Sequence, residues 1–306
     1  MARLFRLGWS RRASLEALRA QRQTRALLVH DALTRLQREP RYQSSGSLIP
    51  YGRKMYSQNE EDGLIQEIFR RIGTTSRTFL KIGIGDGLGN NTLALLFQGW
   101  RGAWIEASRT SVGKIRAGLL KTIRSGALTV VNSFVTRENV NRLIESAIGR
   151  GEVDLLSVDI DGNDYHVFDA IGVLSARVVV IEYNAKFPPP IVYCIDYEAG
   201  HVWRGDDHFG ASLQFLEERF LRKGYKLVAC NLTGSNAFFV RGDLVGDRFL
   251  PPFSAEMHYV PARYHLVGFE SGHPPAFATL ERSFDCRKPS EGSSRPSLAP
   301  AGAKHE

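Results

Sequence analysis

Short runs of Val, Ile and Leu recur through the middle of the chain, each continuous rather than alternating with polar residues. They fall at residues 78–82, 103–106, 128–131, 153–158 and 177–182. Strands buried on both faces of a parallel sheet have this pattern, because neither face is left for polar side chains. Helical stretches separate them, at about 91–98, 109–123, 137–148 and 165–172. A further helix over 211–223 ends at Gly224, a residue suited to the left-handed turn that stops a helix. Two closing runs, 225–230 and 237–240, are joined by Asn231-Leu232-Thr233-Gly234-Ser235-Asn236 and read as an antiparallel pair. Five β-α units followed by a hairpin predict an α/β fold. Its core is a doubly wound, mostly parallel sheet with an antiparallel edge strand.

The ends differ from the middle. Leu15, Leu18, Val29, Leu33 and Leu36 fall near one face of a helix from about Ser14 to Arg38. Residues 1–40 carry nine arginines against three acids, Glu16, Asp31 and Glu39. This predicts a basic helical arm over 1–42, either a solvated helix on its own domain or a contact to an anionic membrane surface or a protein. A Ser/Gly/Pro-bearing linker follows at 43–52, and the sheet domain extends over 43–284. Residues 285–306 have almost nothing to bury and predict a disordered tail.

Composition narrows the setting. The formal charge is +8, but much of it sits in the arm, so it gives no reason to expect nucleic acid. No apolar run is long enough to span a bilayer, and Arg3, Arg6, Arg11 and Arg12 break up the start of the chain where a signal peptide would need an apolar stretch. Cys194, Cys230 and Cys286 are widely spaced and odd in number, which suits free thiols in a reducing, cytoplasmic compartment.

Two constellations carry candidate chemistry. The first run ends Phe79-Leu80-Lys81-Ile82-Gly83-Ile84-Gly85-Asp86-Gly87, and the second ends on Glu106. Glycines at a strand end let the backbone turn and approach a ligand, and an acid at the next strand end can accept ribose hydroxyls. The spacing is G-x-G-x-G, and Leu88 stands where a dinucleotide fingerprint needs its third glycine, which weighs against NAD and FAD. Asn91 is positioned to cap the following helix, whose N-terminus suits a carboxylate. The second constellation is Asp159-Ile160-Asp161-Gly162-Asn163-Asp164, with Glu182-Tyr183-Asn184 ending the next run. Asp159 or Asp161 could act as a general base, Asp159, Glu182 and Asn184 could hold Mg2+ or Mn2+ through oxygen, or the acids could form a turn and a helix cap. A long insert between Asn184 and Gly210 contains Pro188, Tyr193, Tyr197, Trp203, Asp206, Asp207 and His208; its aromatics suit either a sugar ring or a lid, and His208 is a candidate base.

The Gly-rich loop with Glu106 resembles motif I of the S-adenosylmethionine (SAM)-dependent methyltransferases. Lys81 departs from it, occupying a position where those enzymes usually carry an acid that helps hold the cofactor's ammonium group. Residues 56–240 are similar more specifically to the FkbM-type methyltransferases. The matching phrases are Tyr56-Ser57-Gln58-Asn59-Glu60-Glu61-Asp62-Gly63, the loop through Asn91-Thr92, and Gly99-Trp100-Arg101-Gly102-Ala103-Trp104-Ile105-Glu106. Asp159 through Asp164, Ile181 through Asn184, and Phe209-Gly210-Ala211-Ser212-Leu213 match too. The resemblance implies a class I, Rossmann-like sheet of seven strands with the seventh antiparallel. It also implies SAM held at Gly83, Gly85, Asp86, Gly87, Asn91 and Glu106, and methyl transfer to a hydroxyl of a sugar, glycan or polyketide-like acceptor. Ser57 with Glu60 also reads as a capping box. The alternatives are a metal-dependent glycosyltransferase using Asp159-Ile160-Asp161, or a non-catalytic protein of the same fold.

Overall fold

The computed structural model describes residues 2–268 and 272–285; Cys286 and nearly all of the tail segment lie outside them. Seven strands form one sheet: β1 Thr78–Ile82, β2 Arg101–Glu106, β3 Leu128–Asn132, β4 Gly151–Val158, β5 Leu174–Glu182, β6 Tyr225–Cys230 and β7 Asn236–Arg241. Their order is β3-β2-β1-β4-β5-β7-β6. The first five strands are mutually parallel, and β7 runs antiparallel to both β5 and β6. The reversed strand therefore lies one place inside the sheet's edge, which is β6. The chain crosses back between β1 and β4, so the switch point of the sheet lies there.

Alternate residues of each run feed opposite layers. Val178 and Val180 of β5 join one core with Phe79, Trp104 and Phe238, while Val179 and Ile181 join the other with Leu80, Ile82 and Ile105. All of these are at most 1% exposed, which is why the runs are continuous in the sequence.

The helices are α1 Ala2–Gln37, α2 Glu61–Ile72, α3 Leu93–Phe97, α4 Arg109–Gly118, α5 Leu120–Arg124, α6 Val140–Ile148, α7 Asp164–Ala170 and α8 Leu213–Arg222. After β7 come α9 Gly242–Val245, α10 Ala255–His258 and α11 Phe277–Asp285. The single helix expected over 109–123 is broken at Leu119, whose φ of −119° and ψ of 36° are not helical. α11 packs at this break: Phe277 lies against Gly118, and the Glu281 carboxylate accepts from the Lys121 and Thr122 N–H groups.

Helix α1 is one continuous helix that begins well before the expected start near Ser14 and ends at Gln37. Val29 and Leu33 are buried in the sheet core, Leu36 packs beside them, and Leu18 is half exposed. Arg25 donates to the Val267 carbonyl at 3.0 Å and Gln37 to the Gly52 carbonyl at 2.7 Å. The C-terminal half of the arm is thus seated on the sheet domain. Among the described residues no helix is long and apolar enough to cross a membrane, and Cys194 and Cys230 are free thiols.

Candidate active site

The switch point brings together the ends of β1 and β4. Gly83 donates to the Ile105 carbonyl at 2.9 Å, and Asp159 donates to the Ile82 carbonyl at 3.1 Å. Gly83 has φ +79°, and a Cβ there would sit 1.7 Å from the Asp159 carbonyl oxygen. Only glycine allows this crossing. Gly85, at φ +62°, is different: a Cβ there would meet nothing, because the residue faces open cavity. In open α/β sheets ligands bind in this crevice, beyond the carboxyl ends of the strands.

Glu106 shapes the loop. Its Oε2 accepts from the Ile84 and Gly85 N–H groups at 2.8 and 2.9 Å, and its Oε1 accepts from the Ser108 N–H at 2.7 Å. A carboxylate offers about four lone-pair directions. With Oε2 accepting twice and Oε1 once, one acceptor direction of Oε1 stays open on the cavity wall. Asn90, rather than Asn91, organises the start of α3. Its Oδ1 accepts from the Thr92 N–H and hydroxyl, its amide donates to the Gly87 carbonyl, and the buried Trp104 indole donates to Thr92. The residue at the cap of α3 is Thr92, with no side-chain cap bond. That releases Asn91, 6% exposed, to line the cavity with its Oδ1 unpaired. Asp86 and Gly87 lie off the cavity wall: Asp86 is exposed and accepts from the Leu88 N–H, and Gly87 packs against Ile115.

The cavity has a volume of about 860 Å³, enough for a nucleoside-sized ligand and a second molecule. Asp159, Asp161 and Glu182 line it, and each offers an oxygen within 4.8 Å of the others. At that spacing two ionised carboxylates repel by roughly 3 kcal/mol at an effective dielectric constant near 20. Burial, and then Asp159, raises the carboxyls of Asp161 and Glu182, Glu182 well above the usual range. Asp161 is a non-glycine residue at φ +55°, a conformation held by its neighbours. Asp164 accepts from the Ile160 and Gly162 N–H groups at 2.8 Å each and so ties the turn. Burial and Asp159 push its carboxyl up to about 6. Asp164 is therefore the turn-forming acid, leaving Asp159 and Asp161 to face the cavity. Asp154 is remote from this group, accepting from the N–H groups of Thr75, Ser76 and Arg77.

Lys81 is buried, 3% exposed, with its Nζ 3.3 Å from the Ser157 hydroxyl and 3.6 Å from Asp159 Oδ2. Asn184 also lines the cavity, but its amide donates to the carbonyls of Asp207 and Phe209, and its Oδ1 accepts from the Lys186 N–H. It anchors the insert, and the third oxygen donor of the acidic group is Asp161 instead. From the insert, Trp203, Asp206 and Asp207 line the cavity, whereas Tyr193, Tyr197 and His208 do not. The His208 ring lies 3.3 Å from the Tyr193 hydroxyl. The histidine on the wall is His201, whose Nε2 is buried without a partner. Its ring rests on Gly162, where a Cβ would come within 2.2 Å. A second histidine close to Trp203 in the same insert was the available signal, and the choice between the two needed the turn at Gly162.

The start of α2 and the segment before it close another side. Glu61 accepts from Asn59, Asn231 and Asn236, bridging to the β6–β7 turn, and lines the cavity. No Ser57–Glu60 capping box forms. Asp62 instead accepts from the N–H groups of Met55, Tyr56 and Ser57, while Glu60 accepts from the Leu232 N–H. Burial, with Glu61 adding, pushes the Glu60 carboxyl up to about 7 from 4.5. The folded state then holds a proton that the unfolded chain releases. This stability is full below about 4.5 and is lost as pH rises through about 7. Glu60→Gln should therefore raise the melting temperature at about pH 8, by on the order of 1–3 kcal/mol of stability, and change little at about pH 5. Calorimetric melts at both pH values check this; an equal gain at both would remove the assignment.

A scan of protein-family models and a search of curated proteins find no match to the chain. Among solved structures, magnesium protoporphyrin IX methyltransferase from Synechocystis PCC 6803 aligns over 59% of this chain and 77% of its own at 13% identity, with a TM-score of 0.39. A methyltransferase from Geobacter sulfurreducens aligns over 70% and 87% at 14% identity, with a TM-score of 0.38. At such values the two alignments identify neither substrate nor reaction. The strand order and the reversed β7 make the fold itself class I methyltransferase-like, a doubly wound sheet with its crevice at the β1–β4 switch point.

Proposed function

We propose that the chain is a SAM-dependent methyltransferase that methylates a hydroxyl oxygen of a sugar-, glycan- or polyketide-like acceptor in the cytoplasm. The observation that carries this is the pairing, in one cavity, of the Gly85–Glu106 loop with the carboxylates of Asp159 and Asp161. When bound, SAM supplies an electrophilic methyl group on a sulfonium. The residues fit such a ligand: Gly85 leaves space beside the loop, Glu106 keeps an open acceptor direction for a ribose hydroxyl, and the unpaired Asn91 Oδ1 can accept from the ammonium. The carboxylates of Asp159, Asp161 and Glu61 make the wall predominantly acidic, which favours a cationic donor.

The remaining work is alignment and removal of one proton. Asp161 is the base in this reading. Burial moves its carboxyl upward, toward the range where a general base is most effective, while Lys81 opposes that shift. As the acceptor oxygen took the methyl group that SAM would supply, with the sulfonium carbon–sulfur bond broken, Asp161 would take the hydroxyl proton. Phe134, Trp203 and Tyr264 are each close to half exposed on the cavity wall and offer flat apolar faces to a sugar ring.

Incubation with methyl-labelled SAM and a panel of hydroxylated saccharides tests the reading. Label should enter a saccharide, and Asp161→Asn should slow incorporation by about 10²-fold, the usual weight of a general base, with SAM affinity little changed. A fully active Asn variant would exclude Asp161 as the base. Transfer of sugar from a nucleotide sugar with manganese, and none of methyl, would favour the glycosyltransferase reading.

A further inference from the structure

We propose that Lys81 is the resident cation of the carboxylate group: its ammonium does for Asp159, Asp161 and Glu182 what a divalent metal would do, and keeps a metal out. The role of the group in catalysis rests on the methyltransferase reading; its charge balance does not.

Lys81 is the fourth residue of β1, paired in the sheet with Trp104 and Ser157. Only 3% of it is exposed, so its four-carbon stem lies in the protein and its head reaches the crevice at the strand ends. The head finds the Ser157 hydroxyl at 3.3 Å and Asp159 Oδ2 at 3.6 Å. A buried ammonium is stable in its charged form only beside acids. The converse need is equally plain. Three carboxylates whose oxygens lie within 4.8 Å of one another form an all-oxygen donor set of the kind hard divalent cations take, and they repel one another without a cation. Glu182 Oε2 is buried and has no hydrogen-bond partner.

A divalent ion entering this group would meet the Lys81 ammonium at close range, a like-charge contact in a partly desolvated site. The lysine and the metal are therefore alternatives. Lys81 stands as a positioning residue: it fixes Asp159 and leaves Asp161 facing the acceptor. Its charge comes with the chain, so the group needs no metal supply.

The test is a titration of Mn2+ into the full-length protein without SAM, following free Mn2+ by electron paramagnetic resonance. Wild type should take up no ion at this group up to about 1 mM, a concentration at which weak all-oxygen sites already fill. Lys81→Met should bind one Mn2+ per chain about tenfold or more tighter, and adding Asp161→Asn should abolish that uptake. Lys81→Arg, which restores the charge, should behave as wild type. Lys81→Gln, which keeps a donor toward Ser157, gives the same reading should the Met variant fail to fold. Uptake by wild type that Asp161→Asn removes would overturn the proposal, as would a folded Lys81→Met or Lys81→Gln that takes up no Mn2+. Because SAM is absent, failure of the methyltransferase reading would appear in label transfer and leave this titration unchanged.

Discussion

Gly83→Ala should destabilise the fold, while Gly85→Val should leave the fold intact and abolish SAM binding. Both glycines have positive φ, +79° and +62°, and stand two residues apart in one loop. What surrounds them differs. A methyl group at residue 83 would sit 1.7 Å from the Asp159 carbonyl oxygen and 2.7 Å from its carbon, both backbone atoms that cannot rotate away. The β1 and β4 ends would have to part, losing the hydrogen bond from Asp159 to Ile82. A loss above about 4 kcal/mol follows, in the range reserved for a few severe mechanisms. At residue 85 an added Cβ meets nothing within 4 Å. The cost there is about 1–2 kcal/mol of left-handed strain, and the side chain projects into the space the ligand needs. Thermal melts with SAM titrations of both variants decide the matter. A stable Gly83→Ala would contradict the described crossing, and a Gly85→Val that binds SAM normally would place the ligand elsewhere.

Glu106→Ala should weaken SAM binding by about 1–3 kcal/mol, the scale of lost charge-assisted hydrogen bonds, which is roughly 5- to 150-fold in affinity. Two losses combine. One is the acceptor direction left on Oε1; the other is the anchoring of the Ile84 and Gly85 N–H groups, which sets the shape of the loop. Glu106→Gln should fare little better, because one of its two terminal atoms becomes a donor while three backbone N–H groups still require acceptors. Calorimetric titration checks this, with a melting curve to establish that both variants are folded. Unchanged affinity in either variant would detach Glu106 from the ligand.

The strands were legible because burial on both faces leaves an unmistakable run, as in Val178, Val179, Val180 and Ile181. So was the crevice: three glycines at a strand end and acids at the next strand ends converge wherever a parallel sheet is doubly wound. What the sequence did not disclose depends on contacts between distant segments. Asn90 and Asn91 are the same residue type side by side, and only the Trp104 indole and the Gly87 carbonyl decide which is structural. Ser57 and Glu60 have the spacing of a capping box, but α2 starts at Glu61, so Asp62 takes the Ser57 contacts and Glu60 turns to Leu232. His208 and His201 share one insert, and the packing of a ring on Gly162 puts His201 on the cavity wall. The four-residue helices α9 and α10 are too short to show a period. The placement of β7 inside β6 is a matter of pairing, to which two adjacent apolar runs are indifferent.

Isothermal titration of SAM into the wild-type protein, with S-adenosylhomocysteine as competitor, tests whether the crevice at the β1–β4 switch point is a SAM site. One site per chain is expected, with an affinity of about micromolar order, displaced by the competitor and lost in Gly85→Val. A folded wild-type protein that releases no binding heat and shows no SAM-induced rise in melting temperature would contradict that assignment.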